Sequence, residues 1–544
     1  VEAVRATDAD ACAVCLLFAF ESPQHEQALG QALAEAMPDL HLSLSSAVQP
    51  EFREFERFST TVINAYLQPV MAGYVERLAD GIARLAPRAV LGINQSSGGL
   101  MTPATARDLP VRTALSGPAA GAMGAVAVAR RVGIPDVITL DMGGTSADVA
   151  LIRNAEPALA YQRTVADFPI RLPMVDIDTV GAGGGSIAWF DRDGLMKVGP
   201  QSAGAVPGPA CYGLGGTEPT VTDANLILGR LSPRGLLNGE MALDPALARA
   251  ALAPVAERLG LGLERVALGV LDIAVATMVR SIRTISVEKG HDPRDFALMP
   301  FGGAGALHAR AVAVDLGITR MVVPPAPGIL CAEGLIVADL KEDFVAAERL
   351  SVDEAGLAGA AALVAGLAEQ AADWLAGQQA GAGRLNLAAD MRYQGQNFEL
   401  TVPLADAAAG EAVALPDAAS IRRAFFAAHD QAYGFHNPHD TVEAVAFRLT
   451  ARAPMHREAV LPPLPAKPPP LPQPRERRPV WFDSQPEAAL ATPVYDRAEL
   501  LPGMRLAGPA MVEQLDATTP LDPADSAIVA ADGSLIVTLG GAFR

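Results

Sequence analysis

An α/β fold is predicted, and three features of the chain predict it. The β-branched run Val137-Ile138-Thr139-Leu140 ends on Asp141-Met142-Gly143-Gly144-Thr145-Ser146 and resumes as Asp148-Val149-Ala150-Leu151-Ile152, the layout of strand, tight glycine turn and strand. A second apolar run, Phe296-Ala297-Leu298-Met299-Pro300, runs into Phe301-Gly302-Gly303-Ala304-Gly305 and a helix-like segment over 306–316. A glycine- and alanine-rich helical stretch, 116–133, directly precedes the first turn.

The first turn has the chemistry of a phosphate loop. Paired glycines let a backbone approach a phosphate with its N–H groups exposed, the Thr145 and Ser146 hydroxyls add donors, and a carboxylate at the strand end, Asp141, suits a hydrated Mg²⁺. A plain glycine-rich hairpin turn shows the same pattern. The second loop shifts the balance, because Gly302, Gly303 and Gly305 open a helix whose first N–H groups lack partners. Two such loops in one chain imply a nucleotide cleft between them.

The remaining elements follow in order. Residues 11–20 read as a strand whose alternation sends Cys12 and Cys15 to opposite faces, as ordinary buried thiols. Ser22-Pro23 starts a helix. Over 54–85, Phe55, Phe58, Val62, Tyr66, Val70, Tyr74 and Leu78 recur at helical spacing and read as core. A strand at 89–93 leads to the polar turn Ser96-Ser97-Gly98-Gly99. In the helix 116–133, Gly121 and Gly124 suit close approach of a neighbouring element or, as the preferred reading, of a nucleotide. Val175-Asp176-Ile177-Asp178 alternates like a half-buried strand and delivers Asp176 and Asp178 to one face just before Gly181-Ala182-Gly183-Gly184-Gly185-Ser186. Such a pair shares a metal, activates a water as general base or binds a substrate amide, unless it is only a solvated edge. Asp176 and Asp178 therefore join Asp141 as candidate catalytic residues, and Gly183 and Gly184 join the two loops as candidate cofactor contacts. Pro207-Gly208-Pro209-Ala210-Cys211-Tyr212-Gly213 is an extended loop, and Thr222 or Asp223 starts the next helix. A helix covers 272–289, with Arg280 and Arg283 as solvated surface charges. His308 serves either the cleft or packing.

Four segments together, Asp141 to Ser146, Leu115-Ser116-Gly117-Pro118-Ala119-Ala120-Gly121, Gly181 to Ser186 and Phe301 to Ala309, resemble the hydantoinase A, 5-oxoprolinase and acetone carboxylase beta-subunit family. The resemblance extends to the segments 50–57, 392–400 and 507–510. It implies an actin-like, sugar-kinase-like or Hsp70-like ATPase core of two related α/β lobes facing each other across ATP and Mg²⁺. In that scheme Asp141 to Ser146 corresponds to the second-lobe phosphate loop, with Asp141 at the metal, and Gly302 to Gly305 to the adenosine loop. The family's other phosphate loop lies near its natural N-terminus and has no counterpart here, so residues 1–544 are expected to hold part of the ATP site. Cys331 stands where the family usually shows Ser.

Composition shifts and the resemblance give the expected organisation: residues 1–40 as the end of an N-terminal domain, 41–345 as the ATPase core, 346–460 as an α/β appendix, 461–480 as a linker, and 481–544 as a small β-sandwich cap. The linker rests on nine prolines between 461 and 479. The cap rests on short apolar runs broken by Pro-Gly, Asp-Pro and Asp-Gly turns.

The 544 residues carry a formal net charge of −19 and a mean hydropathy of +0.24. The acidic field argues against nucleic acid and anionic membrane surfaces, and no stretch offers 18 uninterrupted apolar residues. Four scattered cysteines fit a reducing, cytoplasmic setting. No Gly-x-Ser-x-Gly or His-Glu-x-x-His points to an unactivated hydrolase. The resemblance implies the A-type subunit of an ATP-dependent enzyme that phosphorylates and opens a cyclic amide such as a hydantoin or 5-oxoproline. A separate B-type subunit is expected as partner in a hetero-oligomer. A carboxylase subunit, a small-molecule kinase and a nucleotide-binding scaffold are the alternatives.

Overall fold

The computed structural model describes residues 1–378, 383–455 and 461–541. They form two compact units: residues 1–120, 159–175 and 337–458 build the first, and residues 121–158, 176–336 and 459–544 the second. The chain thus passes between units several times, and the expected serial division into five parts is replaced by this interleaved one. The boundary expected at 460 falls outside the described residues.

The second unit is organised by a nine-stranded mixed sheet. Its centre is the strand Val137–Met142, parallel to Ala297–Phe301 on one side and antiparallel to Ala147–Arg153 on the other. These strands are nearly continuous apolar runs because both sheet faces are covered, so alternation has no role in them. Helix Leu263–Ile285 covers the sheet with Val266, Val270, Ala274, Met278 and Ile282 at helical spacing, all buried in one cluster with Ile138, Leu140 and Val149. It starts earlier than the spacing over 272–289 predicts, and its last residues form a separate 3₁₀ turn, Val287–Lys289. Arg280 and Arg283 are exposed, as expected. Gly121 and Gly124 of helix Ser116–Val132 are corrected to packing glycines: a Cβ on Gly124 would stand 2.5 Å from the Leu330 carbonyl oxygen, and one on Gly121 2.9 Å from Cys331 Sγ.

The C-terminal segment does not fold as a separate sandwich. Strands Leu535–Thr538, Ser526–Val529 and Arg505–Ala507 extend the central sheet beyond Arg320–Val323, while Glu476–Phe482, Gln485–Asp496, Ala510–Glu513 and Thr518–Leu521 form a four-stranded sheet. An apolar strand completes an edge that would otherwise leave backbone groups unpaired, which is why these short runs join the existing sheet.

The first unit holds a seven-stranded sheet centred on Val442–Ala453, flanked by Arg384–Tyr393 and Leu340–Ala346. Helices Glu354–Gly377 and Ala418–Tyr433 contribute Val364, Leu367, Leu375, Ile421 and Phe425 to its core. Glu354–Gly377 is, among the described residues, the one helix long and apolar enough by composition to cross a bilayer. Its buried positions recur at helical spacing and pack on the sheet. The strand predicted over 11–20 is short, Ala11–Val14, and pairs in parallel with His41–Leu44.

Helix Glu54–Leu85 reverses the burial that its hydropathy pattern predicts. Phe55, Val62, Tyr66, Val70 and Tyr74 are exposed, whereas Arg57, Thr60, Thr61, Asn64 and Gln68 are buried. The polar face finds most of its partners internally: Asn64 donates to Ser43 and to the Asp108 carbonyl, Thr61 to the Arg57 carbonyl, and Arg57 to the carbonyls of Glu51 and Leu16, with Arg57 Nε alone on that side chain lacking a partner among the described residues. Because every buried polar group must find such partners, a polar face that has them can turn inward.

Candidate active site: two glycine loops on adjacent strand ends

Both predicted loops lie at the same end of the central sheet. Parallel pairing sets Asp141 opposite Phe301, so the turn after the first strand and the helix after the second start side by side. Helix Gly302–Leu316 begins at once, without a side-chain cap, and leaves its first N–H groups at the loop. Gly302 has φ +74°, and a Cβ there would stand 2.5 Å from both Asp141 Oδ1 and the Met142 carbonyl oxygen, so this approach requires glycine.

The turn itself is closed by Gly143 N–H donating to the Ser146 carbonyl at 3.1 Å. Gly143, Gly144 and Thr145 are exposed, Ser146 is half-buried, and a Cβ on Gly143 or Gly144 would meet nothing within 4 Å. The N–H groups of Gly144 and Thr145 make no hydrogen bond among the described residues. Open space beside free N–H groups is the arrangement that accepts a phosphate.

The segment Gly181–Ser186 buttresses this turn. Gly184 N–H donates to the Gly143 carbonyl at 3.0 Å and Gly185 N–H to the Gly144 carbonyl at 2.7 Å. A Cβ on Gly183 would stand 2.5 Å from Thr145 N and 2.6 Å from the Gly144 carbonyl carbon, all backbone. Gly183 and Gly184 are buried, and their N–H groups are directed to Ser186 Oγ and the Gly143 carbonyl. They hold the turn in place, while the wall of the adjoining cavity includes Gly184 and Gly185.

That cavity, about 880 Å³, is lined by Gly143, Gly144, Gly303 and Leu307 at its loop side. Its far wall includes Glu513, Gln514 and Asp516, contributed by the C-terminal segment. Asp516 accepts from Gly328 N–H at 2.7 Å and from Gln514 Nε2 at 2.6 Å, which fixes this wall. Asn225, 1 % exposed, also lines the cavity, and its Oδ1 has no partner among the described residues. Its Nδ2 donates to the Val221 carbonyl at 3.0 Å and lies 3.3 Å from His308 Nε2. Burial, followed by the nearby Arg230, pushes the His308 pKa down to about 4, so the ring is neutral and accepts from Asn225. His308 therefore supports a wall residue. The helix beside it starts at Val221, capped by Thr220 and Asp223 in a reciprocal box, one or two residues before the predicted start.

Asp141 sits half-buried at the root of the turn. Burial raises its pKa; the Cys331 thiol, donating to Oδ2 at 3.3 Å, opposes the rise, and Asp148 adds to it. Burial, then Asp141, pushes the Cys331 thiol up to about 12, so it stays protonated as a donor. No group of three or more ligating side chains is found among the described residues. Asp141, with Asp148 opposite it on the paired strand, would hold a Mg²⁺ through its water shell, and the free N–H groups and open glycines fit the phosphates of a nucleotide.

Asp176 and Asp178 lie elsewhere. The strand expected over 175–178 breaks at Asp176, with Met174–Val175 and Ile177–Val180 in different sheets. Asp176 is buried and ion-paired with Lys289, and Asp178 accepts from Ser281 Oγ at 2.5 Å. Both carboxylates thus face helix Leu263–Ile285 and the turn after it, and neither lines the cavity. The pair expected to share a metal, act as general base or bind a substrate amide beside the glycine turn is therefore not brought to this cavity, and each carboxylate has a partner of its own.

The hydantoinase/oxoprolinase family model matches residues 57–344. Caprolactamase subunit alpha of Pseudomonas jessenii is 34% identical over 526 residues, covering 94% of this chain and 74% of that protein. The acetophenone carboxylase gamma subunit of Aromatoleum aromaticum is 36% identical over 360 residues, 64% of this chain and 48% of that protein. The crystal structure of the ATP-dependent caprolactamase from Pseudomonas jessenii superposes with a TM-score of 0.88 at 32% identity, covering 99% of this chain and 78% of that one. With two glycine loops on adjoining strand ends and a family model spanning more than half of its length, the chain belongs to the hydantoinase/oxoprolinase family.

Proposed function

We propose that this chain is the nucleotide-binding, A-type subunit of an ATP-dependent enzyme that activates and opens a cyclic amide, and that its core is of the actin-like class. The observation that carries the reading is the exposed turn Gly143 to Ser146, with unpaired N–H groups, set beside the start of helix Gly302–Leu316 at the mouth of one cavity. The caprolactamase likeness favours a lactam, hydantoin or 5-oxoproline as the substrate class.

Gly144 and Thr145 would hold the phosphates with their N–H groups, Thr145 and Ser146 adding hydroxyls, while Gly302 and Gly305 keep the second loop close and Gly303 leaves its wall of the cavity open. Asp141 would orient the water shell of Mg²⁺, and the Cys331 thiol keeps one of its oxygens in position. ATP, when bound, supplies the phosphoryl group that turns an unreactive amide oxygen into part of a leaving group. The fixed N–H donors at the turn stabilise negative charge where it develops, which is the main means by which such sites accelerate phosphoryl transfer. A B-type subunit is proposed as the partner in a cytoplasmic hetero-oligomer, in keeping with relatives that are themselves named as subunits.

A second reading, a carboxylase subunit, is favoured by the acetophenone carboxylase likeness. Phosphate release by the complex with its partner, in buffer stripped of carbon dioxide, separates the two. A cyclic amide should elicit release without bicarbonate. Release that requires a ketone together with bicarbonate overturns the first reading in favour of the second.

A further inference from the structure

Each unit contains a cavity. In the first unit it measures about 580 Å³, and its wall includes Glu51 and Arg448, which are already engaged: Glu51 Oε2 accepts from Arg171 Nε at 3.0 Å and from Arg448 Nη2 at 2.8 Å. In the second unit the acids that the C-terminal segment sets into the cavity wall are engaged as well, Glu476 with Arg234 at 2.8 Å and Glu513 with Arg478 at 2.5 Å. Gln514, on the same wall, keeps an acceptor free.

The side chain of Gln514 is half-buried and pinned by its nitrogen. Nε2 donates to the Asp516 carboxylate at 2.6 Å and to the Pro325 carbonyl at 3.1 Å, which uses both of its hydrogens. Turning the amide over would set Oε1 against those two oxygens, so its orientation is fixed. The frame around it is fixed too: the Gln514 N–H donates to the Ala517 carbonyl at 3.0 Å, Asp516 Oδ2 accepts from the Gly328 N–H at 2.7 Å, and a Cβ on Gly328 would stand 2.5 Å from Asp516 Cβ. Oε1 takes no hydrogen bond among the described residues and is not sealed from the surface. The wall thus presents an uncharged acceptor at a set position.

What meets this acceptor follows from the other end of the cavity. The free N–H groups of Gly144 and Thr145 suit phosphates, so the rest of a nucleotide extends away from the turn into space lined by Leu231, Leu236 and Met241. Apolar side chains suit the faces of a base, and a single placed acceptor selects for a donor on its edge. The turn that carries Gln514 also adjoins the second glycine loop, since a Cβ on Gly303 would stand 3.6 Å from the Asp516 carbonyl oxygen.

We propose that Gln514 is a specificity-determining residue: Oε1 accepts from the exocyclic amine of an adenine base, and the site disfavours a base with a carbonyl at that ring position, where oxygen would face oxygen. The inference rests on reading this cavity as a nucleotide site, and it adds which base the site takes and which residue selects it.

Calorimetric titration of the full-length protein with ADP, with purine riboside diphosphate, which lacks the amine, and with inosine diphosphate, which has a carbonyl in its place, tests this. ADP should bind about fivefold more tightly than purine riboside diphosphate, the effect of one neutral hydrogen bond, and inosine diphosphate should bind more weakly still. In Gln514→Leu, or in Gln514→Met should the first not fold, ADP should weaken to the level of purine riboside diphosphate, whose own affinity stays within about twofold of wild type. A role confined to holding Asp516 would weaken both ligands equally, so the pair separates contact from support. Equal affinity of the wild type for ADP and purine riboside diphosphate, a gap that persists in the variant, or an equal loss for both ligands overturns this inference while the nucleotide reading stands. Binding of none of the three by the wild type overturns that reading and this inference with it.

Discussion

The two cavities are made of opposite materials. In the second unit the wall nearest the loops is backbone: glycines whose missing side chains create the space and whose N–H groups are the binding chemistry. In the first unit the cavity wall includes Glu51 and Arg448, which are held in a network of long charged side chains with Arg171 and Asp390 behind them. A backbone site is held by the sheet beneath it and fails when something is added. A side-chain site is held by its own charge balance and fails when something is removed.

Asp141→Asn gives the largest expected effect, because it removes the charge of the carboxylate at the root of the backbone-built site. Asn keeps the size and still accepts from Cys331, but carries no charge for a metal. Turnover by the complex should fall about a thousandfold, or ~4 kcal/mol of barrier, with the circular dichroism spectrum unchanged. Activity within threefold of wild type would remove Asp141 from the mechanism.

Glu51→Gln tests the opposite construction. It leaves Arg171 and Arg448 facing each other with one shared anion fewer, although Asp390 still pairs with Arg448. Breaking one arm of a buried ion-pair network should cost about 3 kcal/mol in chemical denaturation. ADP affinity at the glycine cavity should stay within about twofold if the two materials are independent. An unchanged denaturation midpoint would show that the network contributes specificity and not stability.

Gly183→Ala adds to the backbone site what it cannot hold. The new Cβ would stand against Thr145 N and the Gly144 carbonyl carbon, neither of which belongs to a flexible side chain. Displacing the turn costs about 1–3 kcal/mol, read as a ten- to hundredfold loss of ADP affinity. The equivalent change at Gly143, where a Cβ meets nothing, should be milder. Equal effects at both positions would break the buttress argument.

Acidification separates the two sites by sign. Burial pushes Asp343 and Asp390 up, but Lys341 and Thr450 at the first and Arg448 and Thr401 at the second outweigh it and hold both below the usual carboxylate range. Their contribution to stability is complete above the unfolded value near 4 and is lost as pH falls through the lower folded one. Asp141 and Asp148 are raised by burial, so their ionised forms oppose folding, and protonation as pH falls relieves that opposition. Hydrogen exchange resolved by segment should therefore show, below about pH 4, loss of protection in strand Val442–Ala453 before strand Val137–Met142. The reverse order would contradict the assignment.

The same contrast explains what was legible in the chain. Gly143, Gly144, Gly302 and Gly303 could be found because a backbone site is written as short local motifs on strand ends. Asn225 and Asp516 could not, since neither has a motif and each reaches the cavity through packing of distant segments. Glu51 and Arg448 are 397 residues apart and meet only in the folded unit. Helix Glu54–Leu85 misled for a related reason: periodicity locates an apolar stripe but does not say which face the fold covers, and here Arg57, Asn64 and Gln68 have internal partners that reward burial of the polar side. Asp176 and Asp178 do not reach the cavity together, because the alternation across 175–178 is cut by a change of sheet at Asp176.

The smallest expected effect is also the most local, and it asks how far one side chain tunes a backbone site. Cys331 donates its thiol to Asp141 Oδ2, opposing the rise that burial imposes on that carboxylate. A hydroxyl is a stronger donor than a thiol and makes a shorter bond, so Cys331→Ser should stabilise the ionised carboxylate further and lower its pKa. If the ionised form of Asp141 is the active one, the acidic limb of the pH–rate profile should move to lower pH by about half a unit. The rate on the plateau should change less than about threefold, because the carboxylate is already ionised there. Cys331→Ala, which removes the donor, should move the same limb the other way. A limb that stays in place in both variants would mean that Asp141 does not set the acidic boundary of activity, even if Asp141→Asn abolishes turnover.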